Sequence, residues 1–331
     1  MHINWGIIGC GDVTEVKSGP AFNKIAGSSL HAVMRRNHQK AADYAQRHHV
    51  PVFYSEAMEL INDATVNAVY IATPPDSHEQ YAMCAIEAGK SVYVEKPMTL
   101  NSFSAKKIMA FAKEKDVKLV VAHYRNAQPI FLKVKELLEQ NTIGKLLTVQ
   151  IDYRRKPPTA TELLLPSMAW RLNPVQSGGG LFHDLAPHQL GLLQFFFGNP
   201  ICSKGISANH HSAIIVDDLV TGLAMFDKGI QFSGIWNFNA APHEEVDICC
   251  IRGTLGSIEF AVFNNTQIKL TLNHQRVQVL NFPALQHVQQ PMIEKVVAYF
   301  HGTGTNPCTP ESAVTVMEMM DAFVFREKFP D

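Results

Sequence analysis

Asp184 and His188 stand four residues apart, so on a helix they share one face. A histidine titrates near neutrality and can take a proton from a hydroxyl or return it. A carboxylate beside it can orient the ring or hold another hydroxyl. The plainer alternative is a helix N-terminal acid followed by a capped histidine. A metal site of His183, Asp184 and His188 is the sharper rival, because two imidazoles and a carboxylate form a ligand set. Neighbours on a helix point about 100° apart, however, and no third ligand stands at an obvious spacing. No metal is therefore expected. The pairs His48-His49 and His210-His211 read as solvated turn residues.

A second chemical signal is Gly9-Cys10-Gly11-Asp12-Val13-Thr14, directly after the apolar run Ile3 to Ile8. The first glycine makes a tight turn, and the second lets backbone approach a pyrophosphate. The phosphates would sit at a helix N-terminus, where free N–H groups favour anions. Gly9, Gly11, Asp12 and Val13 are the cofactor candidates. Thr14 takes the place of the third glycine and implies slightly wider helix–strand packing. The second strand ends Val33-Met34-Arg35-Arg36-Asn37, without the acid that would take an NAD ribose. Arg35 and Arg36 can instead grip a 2′-phosphate. NADP(H) is thus favoured, with NAD(H) possible. A solvated basic turn is the alternative.

These residues need elements to hold them. Apolar runs at Ile3 to Ile8, Leu30 to Met34, Ala68 to Ala72, Ser91 to Val94 and Leu119 to Ala122 alternate with helical patterns at Gln39 to His48, Ala57 to Asn62, His78 to Ala88 and Ser102 to Lys115. Repeated βα units with continuous apolar strands predict a parallel sheet covered on both faces. After a helix from Pro129 to Gln140, a strand begins over Leu146 to Tyr153. Strands then follow at Ile214 to Phe226, Ile230 to Phe238, Val246 to Ile251, Ser257 to Phe263, Gln267 to Leu272 and Arg276 to Phe282. Turns at Asp227-Lys228-Gly229, Gly253 to Gly256 and Asn264-Asn265 make that sheet mainly antiparallel. Two helices close the chain, near 288 to 301 and 310 to 327. The fold class is an α/β domain followed by an α+β domain. His123 follows the fifth strand, at the crevice outside the strand carboxyl ends. Tyr153 and Lys156 are candidates to face a substrate, on position alone.

The chain has 331 residues, which at roughly 150 per domain suggests about two domains. With 29 Lys+Arg against 30 Asp+Glu, the net charge is -1, so no general attraction to nucleic acid or anionic membrane is expected. No uncharged apolar run reaches the roughly 18 residues of a bilayer span. The N-terminus lacks a basic region and a long apolar core, so a signal peptide is not expected. Six scattered cysteines without a CxxC read as reduced, mostly buried thiols of a cytoplasmic protein. Charged residues make up only 18%, against roughly 25% in an average domain, which suggests a surface partly covered by a partner. The strand pattern locates that surface. Ile230, Phe232, Gly234, Trp236 and Phe238 alternate onto one sheet face. Val220, Gly222, Ala224 and Phe226 are assigned to the opposite face, making it partly apolar and suited to a second subunit.

The glycine turn, Ala72-Thr73-Pro74-Pro75-Asp76-Ser77-His78, Tyr93-Val94-Glu95-Lys96-Pro97, Trp170-Arg171 and Gly178-Gly179-Gly180-Leu181-Phe182-His183-Asp184-Leu185-Ala186-Pro187-His188 together resemble the Gfo/Idh/MocA family of sugar and polyol oxidoreductases over nearly the whole chain. The resemblance implies a Rossmann domain over 1–122 and a substrate and oligomerisation domain with a large open sheet over 123–286. It also implies helices over 287–331 that return to the first domain. It places Lys96 where nicotinamide and substrate meet, after a possible cis bond to Pro97. A cation there polarises a carbonyl and steadies a developing alkoxide. Asp184 and His188 would reach the substrate. Trp170 and Arg171 would stand near the cofactor, as would Thr73, Pro74, His78 and Glu95. A homodimer or homotetramer through the open sheet is implied.

The expected activity is hydride transfer between NADP(H) and a sugar, polyol or related hydroxy or keto compound. Lys96, Asp184 and His188 would be catalytic, and Lys96, His123, Tyr153, Asp184 and His188 would contact substrate. Two alternatives share the fold: a non-catalytic dinucleotide-binding regulator, and a glycosidase-type member that retains its cofactor.

Overall fold

The structure is a computed structural model that describes residues 2–211, 214–263, 266–272 and 276–324. The chain forms two compact units: Met1–Gln128 with Leu285–Val314, and Pro129–Ala284 with the chain from Thr315. The first boundary thus lies at 128 rather than 122. The reason is local: the 3₁₀ turn Tyr124–Ala127 is buried within the first unit.

The first unit runs β1 (Ile3–Ile8), α1 (Asp12–Val16), β2 (Ser28–Met34), α2 (His38–His48), β3 (Val52–Tyr54), α3 (Ala57–Asn62), β4 (Ala68–Ile71), α4 (His78–Glu87), β5 (Ser91–Val94), α5 (Ser102–Glu114) and β6 (Leu119–Val121). β4 and β6 are buried at every residue, as expected of strands covered on both faces. Asn37 and Asn101 cap α2 and α5, accepting hydrogen bonds from Lys40 N and Ser104 N. The strand order is β3-β2-β1-β4-β5-β6, parallel throughout. Because β1 lies between β2 and β4, the order reverses beside it, and ligands bind at such switch points. Among the strands of this unit, only the three-residue edge strand β3 escapes the sequence pattern.

The second unit runs α6 (Pro129–Glu139), β7 (Leu146–Arg154), α7 (Ala160–Leu163), α8 (Pro166–Leu172), α9 (Pro174–Ser177), α10 (Leu181–Phe197), β8 (Cys202–Ala208), β9 (Leu219–Met225), β10 (Gln231–Asn237), β11 (Val246–Gly253), β12 (Gly256–Phe260), β13 (Gln267–Leu272) and β14 (Arg276–Asn281). Two helices follow in the chain: α11 (Gln290–His301), which belongs to the first unit, and α12 (Pro310–Phe323), which starts there and ends in the second. The eight strands lie in the order β14-β13-β12-β11-β7-β10-β9-β8. Every pair is antiparallel except β7 with β10. β9 opens at Leu219 instead of Ile214, because Asp217 and Asp218 are bound to Ser207 and His210 in the connection. The Asn264-Asn265 turn and the end of the last helix near 327 lie outside the described residues.

One expectation about this sheet is corrected. Phe232 pairs with Ala224, Gly234 with Gly222 and Trp236 with Val220. Cross-strand partners share a face, so Val220, Gly222 and Ala224 lie with the aromatic residues and not opposite them. That face is covered: Phe182 of α10 meets Trp236 at 5.1 Å, Phe131 of α6 meets Phe260 at 5.7 Å, and Phe323 of α12 stacks on Phe232. The opposite face is still partly apolar, but through Ile206, Leu223, Met225, Ile235, Val277 and Val279, all exposed. Among the described residues, no helix is long and apolar enough to cross a membrane.

Candidate active site

In the first unit, strand register assembles the site. Ile8 pairs with both Met34 and Ile71, Ile71 pairs with Val94, and Val94 pairs with Val121. The residues that follow these strands therefore line one carboxyl edge: Gly9, Arg35, Thr73, Glu95 with Lys96, and His123. Backbone bonds stitch the edge, from Gly9 N to Met34 O, Ala72 N to Ile8 O, Glu95 N to Ile71 O and Ala122 N to Val94 O.

Gly9 has φ +92°, and a Cβ there would lie 2.7 Å from Thr73 Cγ2. The turn after β1 thus sits directly on the turn after β4. At Gly11 the nearest atom to a Cβ is Gly9 O, 3.9 Å away, so the space above it is open. An open cradle at the second glycine is what a pyrophosphate requires, and the first N–H groups of α1 have no intrahelical acceptor. Asp12 is exposed and Val13 half-buried beside it. Thr14 is buried with its hydroxyl donating to Gly11 O at 2.8 Å, which satisfies a polar group where a glycine was expected. The residues present fit a dinucleotide.

The two arginines part company. Arg35 Nη1 donates to Cys10 O at 3.1 Å, so its guanidinium braces the glycine turn. Arg36 is exposed. His78 is buried, with Nδ1 3.0 Å from Pro97 O and Nε2 2.8 Å from Thr73 O. Burial pushes its pKa down. Its ring therefore ties the loop after β4, with Thr73 and Pro74, to the loop after β5. The Lys96-Pro97 peptide is cis. Glu95 is buried, and its carboxylate accepts from Tyr70 Oη and Gln289 Nε2 at 2.6 Å each and from the Lys96 N–H at 3.1 Å. His123 is buried at the start of the 3₁₀ turn.

In the second unit, α10 carries Asp184 in its first turn and His188 one turn later. Arg171, on α8, donates from Nε to Asp184 Oδ2 at 2.6 Å and lies 4.4 Å from the Trp170 ring centre. His188 meets the Phe263 ring edge-on at 5.6 Å, and Phe263 meets Tyr153 at 5.1 Å. Tyr153 is buried, with its hydroxyl accepting from Arg155 Nε at 3.0 Å, and burial raises its pKa. Asp184, His188, Arg171 and Tyr153 are thus brought together. Lys156 is exposed, its N–H donating to Glu245.

His183 has a different environment. A Cβ at Gly179 would strike its ring at 2.2 Å, so the glycine run before α10 makes room for it. Burial lowers its pKa, and the neutral ring belongs to the packing. Among the described residues, no group of three His, Cys, Asp or Glu is placed to hold a metal ion.

Sequence reasoning missed Gln289 entirely. It lies 194 residues from Glu95, and no local motif marks it.

Residues 3–123 match the family model described as "Oxidoreductase family, NAD-binding Rossmann fold", and residues 131–259 match the GFO/IDH/MocA C-terminal domain. A curated oxidoreductase of Formosa agariphila is 46% identical over 322 residues, covering 97% of this chain and 98% of the relative. The trans-1,2-dihydrobenzene-1,2-diol dehydrogenase of Mus musculus is 30% identical over 242 residues, 70% of this chain and 68% of its own. A levoglucosan dehydrogenase solved with NADH and levoglucosan has the same fold, with TM-score 0.86 at 21% identity, covering 98% of this chain and 96% of that one.

Proposed function

This chain belongs to the Gfo/Idh/MocA family of oxidoreductases, and we propose that it is an NADP(H)-preferring member acting on a sugar, polyol or related hydroxy or keto compound. The observation that carries this reading is the shared carboxyl edge of the parallel sheet. It gathers an open glycine turn, a basic strand end without an acid, and Lys96. When bound, the dinucleotide supplies the carbon that gives or takes hydride. Gly11, Asp12 and Val13 hold its pyrophosphate, Arg36 its 2′-phosphate, and Thr73 and Pro74 its ribose side.

The Lys96 ammonium polarises a substrate carbonyl, or steadies the alkoxide when the reaction runs the other way. His188 takes the hydroxyl proton in oxidation and returns it in reduction. Asp184, oriented by Arg171, holds a neighbouring substrate hydroxyl. His123 and Tyr153 are the further residues proposed to contact substrate. The direction of reaction follows the ratio of oxidised to reduced cofactor. We propose further that the protein is a cytoplasmic homodimer or homotetramer joined through the exposed face of the eight-stranded sheet.

An initial-rate screen tests this reading. Sugars, polyols and their keto forms are offered with NADP(H) and NAD(H), and reduced-cofactor absorbance is followed. The expected result is turnover of at least one such compound with a higher kcat/KM for NADP(H). Tighter binding of NAD(H) would reverse the cofactor preference. Substrate cleavage with a retained cofactor and no net change in its absorbance would replace the dehydrogenase by a glycosidase-type member. Tight cofactor binding without any conversion would leave a regulator.

A further inference from the structure

Glu95 is a carboxylate with only 6% exposure, and burying such a group costs stability unless its lone pairs are met. The two oxygens are used differently. Oε1 accepts from Tyr70 Oη and from Gln289 Nε2, each at 2.6 Å. Oε2 accepts from the Lys96 backbone N–H at 3.1 Å. Two donors on one oxygen fix the plane of the carboxylate, and the other oxygen then fixes the main chain at Lys96.

Gln289 is itself wholly buried. Tyr93 Oη donates to its side-chain oxygen at 3.4 Å, which sets the amide so that nitrogen faces Glu95. Its backbone N–H donates to Lys17 O at 3.1 Å, just past α1. Two residues earlier, His287 Nδ1 donates to Val16 O at 2.6 Å, and its Nε2 accepts from Lys24 Nζ at 2.7 Å. Gln128 Nε2 holds Val288 O at 3.0 Å. The three residues 287–289 therefore clamp the helix of the glycine turn on one side and the Glu95 carboxylate on the other. Tyr70 and Tyr93 stack at 5.1 Å, and burial raises both phenols well above their ordinary range, so both remain donors.

We propose that Gln289 is a positioning residue for Lys96, acting through the Glu95 carboxylate. It rests on the reading of Lys96 as catalytic. Gln289 touches no reacting atom; it sets the backbone from which the ammonium reaches, and the same residue ties that backbone to the end of α1.

The test uses Gln289→Leu, which keeps the main-chain bond to Lys17 and removes only the amide, with Glu95→Gln, the double variant and Lys96→Met. Turnover is measured on the best substrate of the screen, and NADPH binding by its fluorescence. Gln289→Leu is expected to lower kcat about tenfold or more, the loss of a hydrogen bond to a charged group. KM and the NADPH Kd should stay within about twofold, and the double variant should be no slower than Glu95→Gln alone. A kcat within about twofold of the parent, or effects of the two substitutions that multiply, would overturn the proposal. If Gln289→Leu does not fold, Tyr70→Phe removes the other donor to the same oxygen and must meet the same criteria. Lys96→Met separates the two failures. If it stays active, the reading of Lys96 falls and the proposal with it. If it is inactive while Gln289→Leu is not, the positioning role alone falls.

Discussion

Arg171 donates from Nε to Asp184 Oδ2 at 2.6 Å while its guanidinium lies 4.4 Å from the Trp170 ring centre. Two motifs that look separate in the sequence are thus one unit, with the arginine spent on the carboxylate. Both side chains are partly sheltered, at 31% and 13% exposure, so solvent does not fully screen the pair. Arg171→Ala is expected to lower kcat/KM about 10- to 100-fold by releasing Asp184, with the cofactor Kd little changed. Steady-state kinetics beside a fluorescence titration measure both. A weakened cofactor with unchanged kcat/KM would instead make Arg171 a cofactor ligand, the role expected from the sequence.

Arg35 and Arg36 should separate in their effects on the cofactor. Arg36 is exposed at the end of β2, and its loss should weaken NADPH about tenfold or more, leaving NADH within about twofold. Arg35 braces Cys10 O, so Arg35→Ala should weaken both cofactors together. Equal losses for both cofactors in Arg36→Ala would remove the basis for NADP(H) preference.

The thiols should differ in reactivity by place. Cys10 lies in the glycine turn, and burial pushes its pKa up to about 11; Cys308 is likewise pushed to about 11. A raised thiol pKa means that thiolate appears only as pH nears that value, so both resist alkylation at pH near 8. Cys202 is exposed and should be labelled first. Peptide mapping after brief iodoacetamide treatment checks this. Labelling of Cys10 as fast as Cys202 in folded protein would contradict it.

The exposed sheet face should govern assembly. Leu223 on β9 and Ile235 on β10 lie on that face toward its β8 edge, at 57% and 44% exposure. Leu223→Glu with Ile235→Lys should shift the protein from oligomer to monomer in light scattering, without loss of helix or sheet signal. Unchanged mass would place the interface elsewhere.

Much of this arrangement is legible in the sequence. Apolar runs with a glycine or proline stop mark β1, β4 and β5, a bare apolar run marks β6, and a strand's end also names the residue at the sheet edge. The four-residue spacing of Asp184 and His188 is enough to set them on one face of α10. Other features depend on partners that no local pattern names. The three residues of β3 are too few to show a period. The face of Val220, Gly222 and Ala224 depends on how β9 registers with β10, and a shift of one residue reverses every side chain. Arg35 and Arg36 are alike in type and differ only because one turns back onto Cys10. Gln289 acts across 194 residues, through a carboxylate whose own motif points to something else.

Hydride transfer assisted by Lys96 and His188 is most directly tested by Lys96→Met and His188→Ala, each assayed on the best substrate with NADP(H). Each substitution is expected to lower kcat by about 10²-fold or more, the usual contribution of a positioned proton-transfer group or cation, with the NADPH Kd within about twofold of the parent. Turnover that survives both substitutions within about fivefold would contradict the assignment of these residues to the chemistry.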